Sequence, residues 1–151
     1  MVGLVLGLVG ALVYVLDRFK AKASFAETCP AIKQMVVNYP ATRVVLVEDA
    51  ANGPAVVSAL HKEVRGILAV TPEGGKMSRA WAVQPQIESG QVILPRPSFP
   101  DGQLRLEYGW VEDLMEQCAV FPKGEHDDDV DALTQALVYL QKRPTIQLSA
   151  A

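Results

Sequence analysis

The first sixteen residues, Met1 to Leu16 (MVGLVLGLVGALVYVL), carry no charged side chain, and Asp17, Arg18, Lys20 and Lys22 follow at once. Such a run has few ways to fold. As a helix it falls short of the roughly 20 residues needed to cross a bilayer. A secretory signal would place its positive charges before the apolar run and a small-residue cleavage site after it, whereas here the charges come after. The favoured solution is a β-hairpin, Val2–Val9 and Leu12–Phe19 with Gly10-Ala11 at the turn, built largely from Val, Leu and Tyr. Gly3, Gly7 and Gly10 suit a membrane helix and a closely packed central strand equally, so a membrane anchor stands as the rival reading.

The chain has 151 residues, half of them hydrophobic, enough for one domain with a sizeable core. A net charge of −3 excludes a histone-like binder of polyanions and leaves room for a local basic groove. Cys29 and Cys118 stand far apart in apolar, helix-like contexts, with no CxxC pair or Cys/His spacing that would suit zinc. They read as core thiols in a reducing cytoplasm, with a structural disulfide as the alternative.

Beyond the hairpin, helical and strand patterns alternate. A helix signal opens at Glu27-Thr28-Cys29-Pro30, buries Ile32, Met35, Val36 and Tyr39, and stops at Pro40. Arg43 to Val47 reads as a short strand buried on both faces and ends in Glu48-Asp49. Asn52-Gly53-Pro54 starts a second helix with Val56, Val57, Leu60 and Val64 inward and His61 in its middle. Ile67–Val70 is a strand, Lys76–Ser89 a helix, Gln91–Leu94 a strand, Arg96–Gln103 a loop and Tyr108–Cys118 a helix. The alternation predicts an α/β architecture: one mixed sheet with helices on both faces.

The last helix, Asp127 to Lys142, carries the densest chemistry. Gly124-Glu125-His126-Asp127-Asp128-Asp129-Val130-Asp131 puts four aspartates within five positions, directly ahead of Val130, Leu133, Leu137 and Leu140 at helical spacing. The acids therefore crowd a first turn, where unpaired N–H groups and the helix dipole favour negative charge. Asp127 and Asp131, or Asp128 and Asp131, can share one face. Clustered oxygen ligands suit a hard cation such as Mg²⁺, while an over-provided N-cap explains the same acids equally well. Glu48-Asp49 at a strand end supplies a second acidic site, where open α/β sheets collect ligands. Two metals about 4 Å apart would then hydrolyse a phosphodiester.

Glu73-Gly74-Gly75-Lys76-Met77-Ser78 lacks the earlier glycine of a phosphate loop, Val70 standing in its place, so no nucleotide-binding motif is present. Lys76 and Arg79 read instead as exposed cations at a helix start, within reach of a backbone phosphate. No Ser/His/Asp or Cys/His constellation is legible.

Five segments in order carry a resemblance: Tyr14-Val15-Leu16-Asp17-Arg18-Phe19, Val47-Glu48-Asp49-Ala50-Ala51-Asn52-Gly53-Pro54-Ala55, Gly75-Lys76-Met77-Ser78-Arg79-Ala80, Gly90-Gln91-Val92-Ile93-Leu94-Pro95, and Phe121 to Ala132. Together, over about residues 3 to 141, they resemble the C-terminal nuclease domain of tailed-bacteriophage terminase large subunits. The resemblance implies an RNase H-like fold, with 1–143 as the domain and 144–151 as a flexible tail. It also implies a Mg²⁺- or Mn²⁺-dependent endonuclease that cuts concatemeric double-stranded DNA during genome packaging. Glu48 matches the family's second metal-binding acid and Asp128 the third, with Asp127 and Asp131 as supporting or alternate ligands. Lys76, Arg79 and Lys123 would meet DNA phosphates. The implied partners are the terminase ATPase domain, the small terminase subunit and the portal, in the bacterial host cytoplasm, with no membrane.

The family's first catalytic aspartate lies on a first strand upstream of the hairpin, and no residue here matches it; Asp17 matches the third-strand segment. The expected sheet therefore lacks its first strand, and the two-metal site one carboxylate. A non-catalytic remnant or accessory module that binds DNA or the motor is the alternative, and a membrane-anchored small protein the weakest.

Overall fold

A computed structural model describes residues 1–22, 24–103 and 105–142. The expected tail lies outside them. The apolar N-terminus forms the hairpin β1 (Val2–Val9) and β2 (Leu12–Lys20), antiparallel from Val2↔Lys20 to Val9↔Leu12, with a register shift between Val5 and Leu6. Gly10 turns the chain at φ +59°, a conformation that a β-carbon would disfavour. Among the described residues no helix is long and apolar enough to cross a membrane.

After the hairpin come α1 (Phe25–Asn38), β3 (Val45–Glu48), α2 (Gly53–Leu60), β4 (Ile67–Val70), α3 (Lys76–Glu88), β5 (Val92–Ile93), a 3₁₀ turn at Leu106–Tyr108, α4 (Trp110–Val120) and α5 (Asp128–Gln141). This mixed α/β order bears out the expected class. The strands, however, form two sheets among the described residues: β1-β2-β5, in which β5 runs parallel to β2, and the parallel pair β3-β4. Two cores follow. Val13, Val15, Val83, Leu114, Leu133 and Leu137 make one, beneath α3, α4 and α5; Val56, Leu60, Val64 and Ile67 make the other, with Cys29, Ile32 and Val36 of α1 packed on it. Met35 of α1 also lies over β1, 3.4 Å from where a β-carbon on Gly3 would stand. Leu4, the next residue, packs into the first core, so β1 has protein on both faces.

Several local expectations are corrected. Helix α1 starts at Phe25, ahead of Pro30, because the Glu27 carboxylate accepts from the Ser24 N–H at 2.7 Å and its hydroxyl at 2.8 Å. That capping interaction opens the helix a turn early. Strand β3 is half-buried rather than enclosed on both faces. Only Val92 and Ile93 of the Gln91–Leu94 segment pair as a strand. His61 caps the end of α2 instead of sitting inside it. Cys118 is exposed and Cys29 partly so; both are free thiols, and Cys118 lies on the outer side of α4 rather than in a core.

Gly53 fixes the corner between β3 and α2. A β-carbon there would stand 1.8 Å from the Glu48 carbonyl oxygen, so only glycine lets the helix start against the strand end that presents Glu48.

Candidate functional site

Helix periodicity splits the acids of the α5 start into two sets. Asp127 is the N-cap residue, and Asp128, Asp129 and Asp131 occupy the first turn. Asp129 lies four residues before Leu133 and eight before Leu137, on the stripe that faces the first core, and it is fully buried. A buried carboxylate needs partners. Arg18 Nη1 donates to Asp129 Oδ2 at 2.8 Å, Lys20 Nζ at 3.2 Å and Gln117 Nε2 at 2.5 Å, and the Asp129 N–H donates to Gln117 Oε1 at 3.3 Å. Asp113 of α4 joins through ion pairs with Arg18 and Lys20. The hydrogen bond from Arg18, reinforced by Gln117 and Lys20, outweighs burial and holds the Asp113 carboxyl below its usual range. Burial opposes the charge on Lys20, but Asp129 and Asp113 together raise its pKa. This network ties β2, α4 and α5 together.

The outward set belongs to α3 and α5. Lys76, the first residue of α3, donates to both oxygens of Asp127, at 2.8 and 2.9 Å, and its ammonium lies 3.8 Å from Asp131. Asp127 raises the Lys76 pKa despite some burial, and Asp131 and Asp128 add to the field. Arg79 is buried, correcting its reading as an exposed cation: its Nη1 donates to the Gly74 carbonyl at 2.9 Å and its Nη2 to Asp131. Its place one turn after Lys76 turns it into the seam between α3 and α5. Asp128 is exposed, and among the described residues its side chain has no hydrogen-bond or ion-pair partner. Lys123 is exposed in the turn before α5.

Glu48 is exposed at the last position of β3, and neighbouring Asp49 accepts a hydrogen bond from the Thr71 hydroxyl at 3.2 Å. Asp17 sits on β2, where it accepts from the Tyr39 hydroxyl at 3.1 Å. Among the described residues no three acids, histidines or cysteines converge into a group able to hold a metal ion, so Glu48, Asp127 and Asp128 do not form one. Mg²⁺ keeps several waters and takes only one or two protein carboxylates, and Asp128 and Glu48 are accessible carboxylates at element ends.

Sequence reasoning grouped Asp129 with the other acids and read Arg18 and Lys20 only as charges flanking the apolar run. The four-residue spacing of Asp129, Leu133 and Leu137 was the legible signal. Gln117 carried a similar one, three residues after Leu114 on the buried stripe of α4.

No curated protein matches the chain. The family model for the terminase RNaseH-like domain matches residues 1–140, nearly the whole chain. With its hairpin, its βα units and its acid-loaded final helix, the chain belongs to the terminase RNaseH-like domain family.

Proposed function

We propose that this chain is a metal-dependent nuclease domain of a terminase large subunit, cutting concatemeric double-stranded DNA during genome packaging. The observation that carries this reading is the outward half of the α5 first turn. Asp128 is exposed there without a partner among the described residues, beside Asp127 and Asp131, which already hold a cation in the ammonium of Lys76. Asp128 and Glu48 are the proposed ligands of Mg²⁺ or Mn²⁺, with Asp127 and Asp131 beside them. A bound divalent ion would activate water and stabilise the leaving oxygen of the phosphodiester. Gly53 sets the strand end that presents Glu48, and Arg79 holds Asp131 from beneath. Lys76 and Lys123 are the proposed contacts to backbone phosphates, and Arg79 supports that surface through its bond to Asp131. In this role the domain works in the host cytoplasm beside an ATPase motor, a small terminase subunit and a portal.

A second reading, a non-catalytic module that binds DNA or the packaging motor, is favoured by one observation: among the described residues no three potential ligands converge. Plasmid nicking and linearisation with Mn²⁺ separates the two. The nuclease reading expects cutting that stops with EDTA and in a Glu48→Ala/Asp128→Ala variant. DNA binding without metal-dependent cutting would replace it with the binding module; that binding should weaken steeply with salt.

A further inference from the structure

We propose that the loop between β5 and α4 grips duplex DNA, with Arg105 on a backbone phosphate and Leu106 pressed into the minor groove beside it. The inference deepens the terminase nuclease reading above and rests on it for the substrate.

The loop holds one guanidinium still. The Phe99 N–H donates to the Gln103 carbonyl at 2.8 Å and the Arg105 N–H to the Pro97 carbonyl at 2.8 Å, and Gly102 turns the chain at φ +86°. This short hairpin brings Phe99 back to Arg105. The Arg105 guanidinium carbon lies 5.1 Å from the centre of the Phe99 ring and 4.4 Å from that of the Tyr108 ring, both within cation–π range. Its Nε donates to Glu107 at 3.2 Å, and the two terminal nitrogens have no hydrogen-bond partner among the described residues. A guanidinium fixed on aromatic rings loses little freedom when it binds, and its open fork matches two oxygens of a phosphate.

The surroundings favour an anion with an apolar flank. The acids of the loop accept from the loop itself, Asp101 from the Gln103 N–H at 3.0 Å and Glu107 from Arg105. Arg96, next to the Pro97 that pairs with Arg105, is exposed and has no partner among the described residues. Free donors therefore outnumber free acceptors. Leu106 is 88% exposed and Phe99 45% exposed, apolar surface that folding leaves uncovered beside the cation. Phosphate contacts position a protein on a duplex, and an apolar side chain next to them can wedge into a base step from the minor groove.

The test is binding of the whole chain to a labelled duplex, followed by fluorescence anisotropy in EDTA over a series of salt concentrations. Arg105→Gln should weaken binding roughly three- to tenfold and lower the salt slope by about one. Arg105→Lys, which keeps the charge without the fork, should restore the slope and only part of the affinity. Leu106→Ala should keep the parent's slope and lose the fluorescence rise of an adenine analogue in the duplex, the mark of an unstacked step. Lys62→Met, an exposed lysine beyond α2, should match the parent. Parent-like affinity and slope in Arg105→Gln, with metal-dependent cutting intact, overturns the grip, leaves the nuclease reading standing and assigns the loop to a protein partner. An unchanged fluorescence rise in Leu106→Ala removes the wedge, and a parent that binds no duplex overturns the whole proposal. Binding that depends on Arg105 without any cutting in Mn²⁺ sinks the nuclease reading and keeps the grip. Circular dichroism melts of each variant confirm that the comparison is between folded chains.

Discussion

Asp128 and Asp129 sit side by side on the first turn of α5 in opposite surroundings. Asp129 has no solvent exposure and is gripped by Arg18, Lys20 and Gln117, whereas Asp128 faces solvent with no partner among the described residues. One residue of helix, about 100° of rotation, separates an anchor from a candidate ligand. The difference teaches that the acid count of a segment says little about chemistry until each carboxylate is assigned to a face. The inward acid stabilises the frame that holds the outward ones.

The comparison can be broken most forcefully from the inward side. Asp129→Ala leaves Arg18 and Gln117 only the partly exposed Asp113 as acceptor in a mostly buried place, and breaking a buried pair costs up to about 3–5 kcal/mol. Urea denaturation should show a loss of that order; a loss under about 1 kcal/mol would mean that the network is dispensable. Next comes the end of β3 that carries Glu48. Gly53→Ala would force a β-carbon to within 1.8 Å of the Glu48 carbonyl oxygen, so β3 and α2 must part. Overpacking of this kind costs about 1–3 kcal/mol, and a melting curve unchanged from the parent would remove Gly53 as the determinant of that corner. On the outward side effects should shrink. Asp127→Asn loses an exposed pair with Lys76, and its stability should stay within about 1 kcal/mol of the parent in the same urea titration.

Acid offers the gentlest probe. Arg18, then Gln117 and Lys20, hold the Asp113 carboxyl below its ordinary value. A carboxyl that ionises more readily folded than unfolded adds stability above its unfolded pKa, about 3.9. That stability is lost as pH falls through the lower folded value. Thermal melts should therefore fall on acidification below about pH 4, and Asp113→Asn should flatten that limb. An unchanged acid limb in the variant would show that Asp113 contributes nothing to it.

Much of this was legible in the sequence because local rules and global packing agree. The uncharged run from Met1 to Leu16 became the expected hairpin with its turn at Gly10-Ala11, since its Val, Leu and Tyr content and a glycine at the turn both specify it. The starts of α2, α3 and α5 fell where Asn52-Gly53-Pro54, Gly75-Lys76 and Asp127-Asp128 placed them. What escaped was set by contacts distant in sequence. The division into two sheets depends on strand neighbours that no local pattern encodes, and β3 looked enclosed because Val45, Leu46 and Val47 are apolar although they are only half-buried. In the candidate site, the positions of Glu48 and Asp128 at element ends followed from the pattern. The pairing of Lys76 with Asp127 and the burial of Arg79 did not, because both arise where α3 meets α5, some fifty residues apart in the chain.

The most direct test sets Asp128→Asn against Asp129→Asn, each followed by Mn²⁺ titration and thermal melting. Asp128→Asn should keep the parent's melting temperature and lose Mn²⁺ binding, while Asp129→Asn should melt well below the parent. A destabilised Asp128→Asn that still binds Mn²⁺, or an Asp129→Asn as stable as the parent, would contradict the division of labour across the first turn of α5.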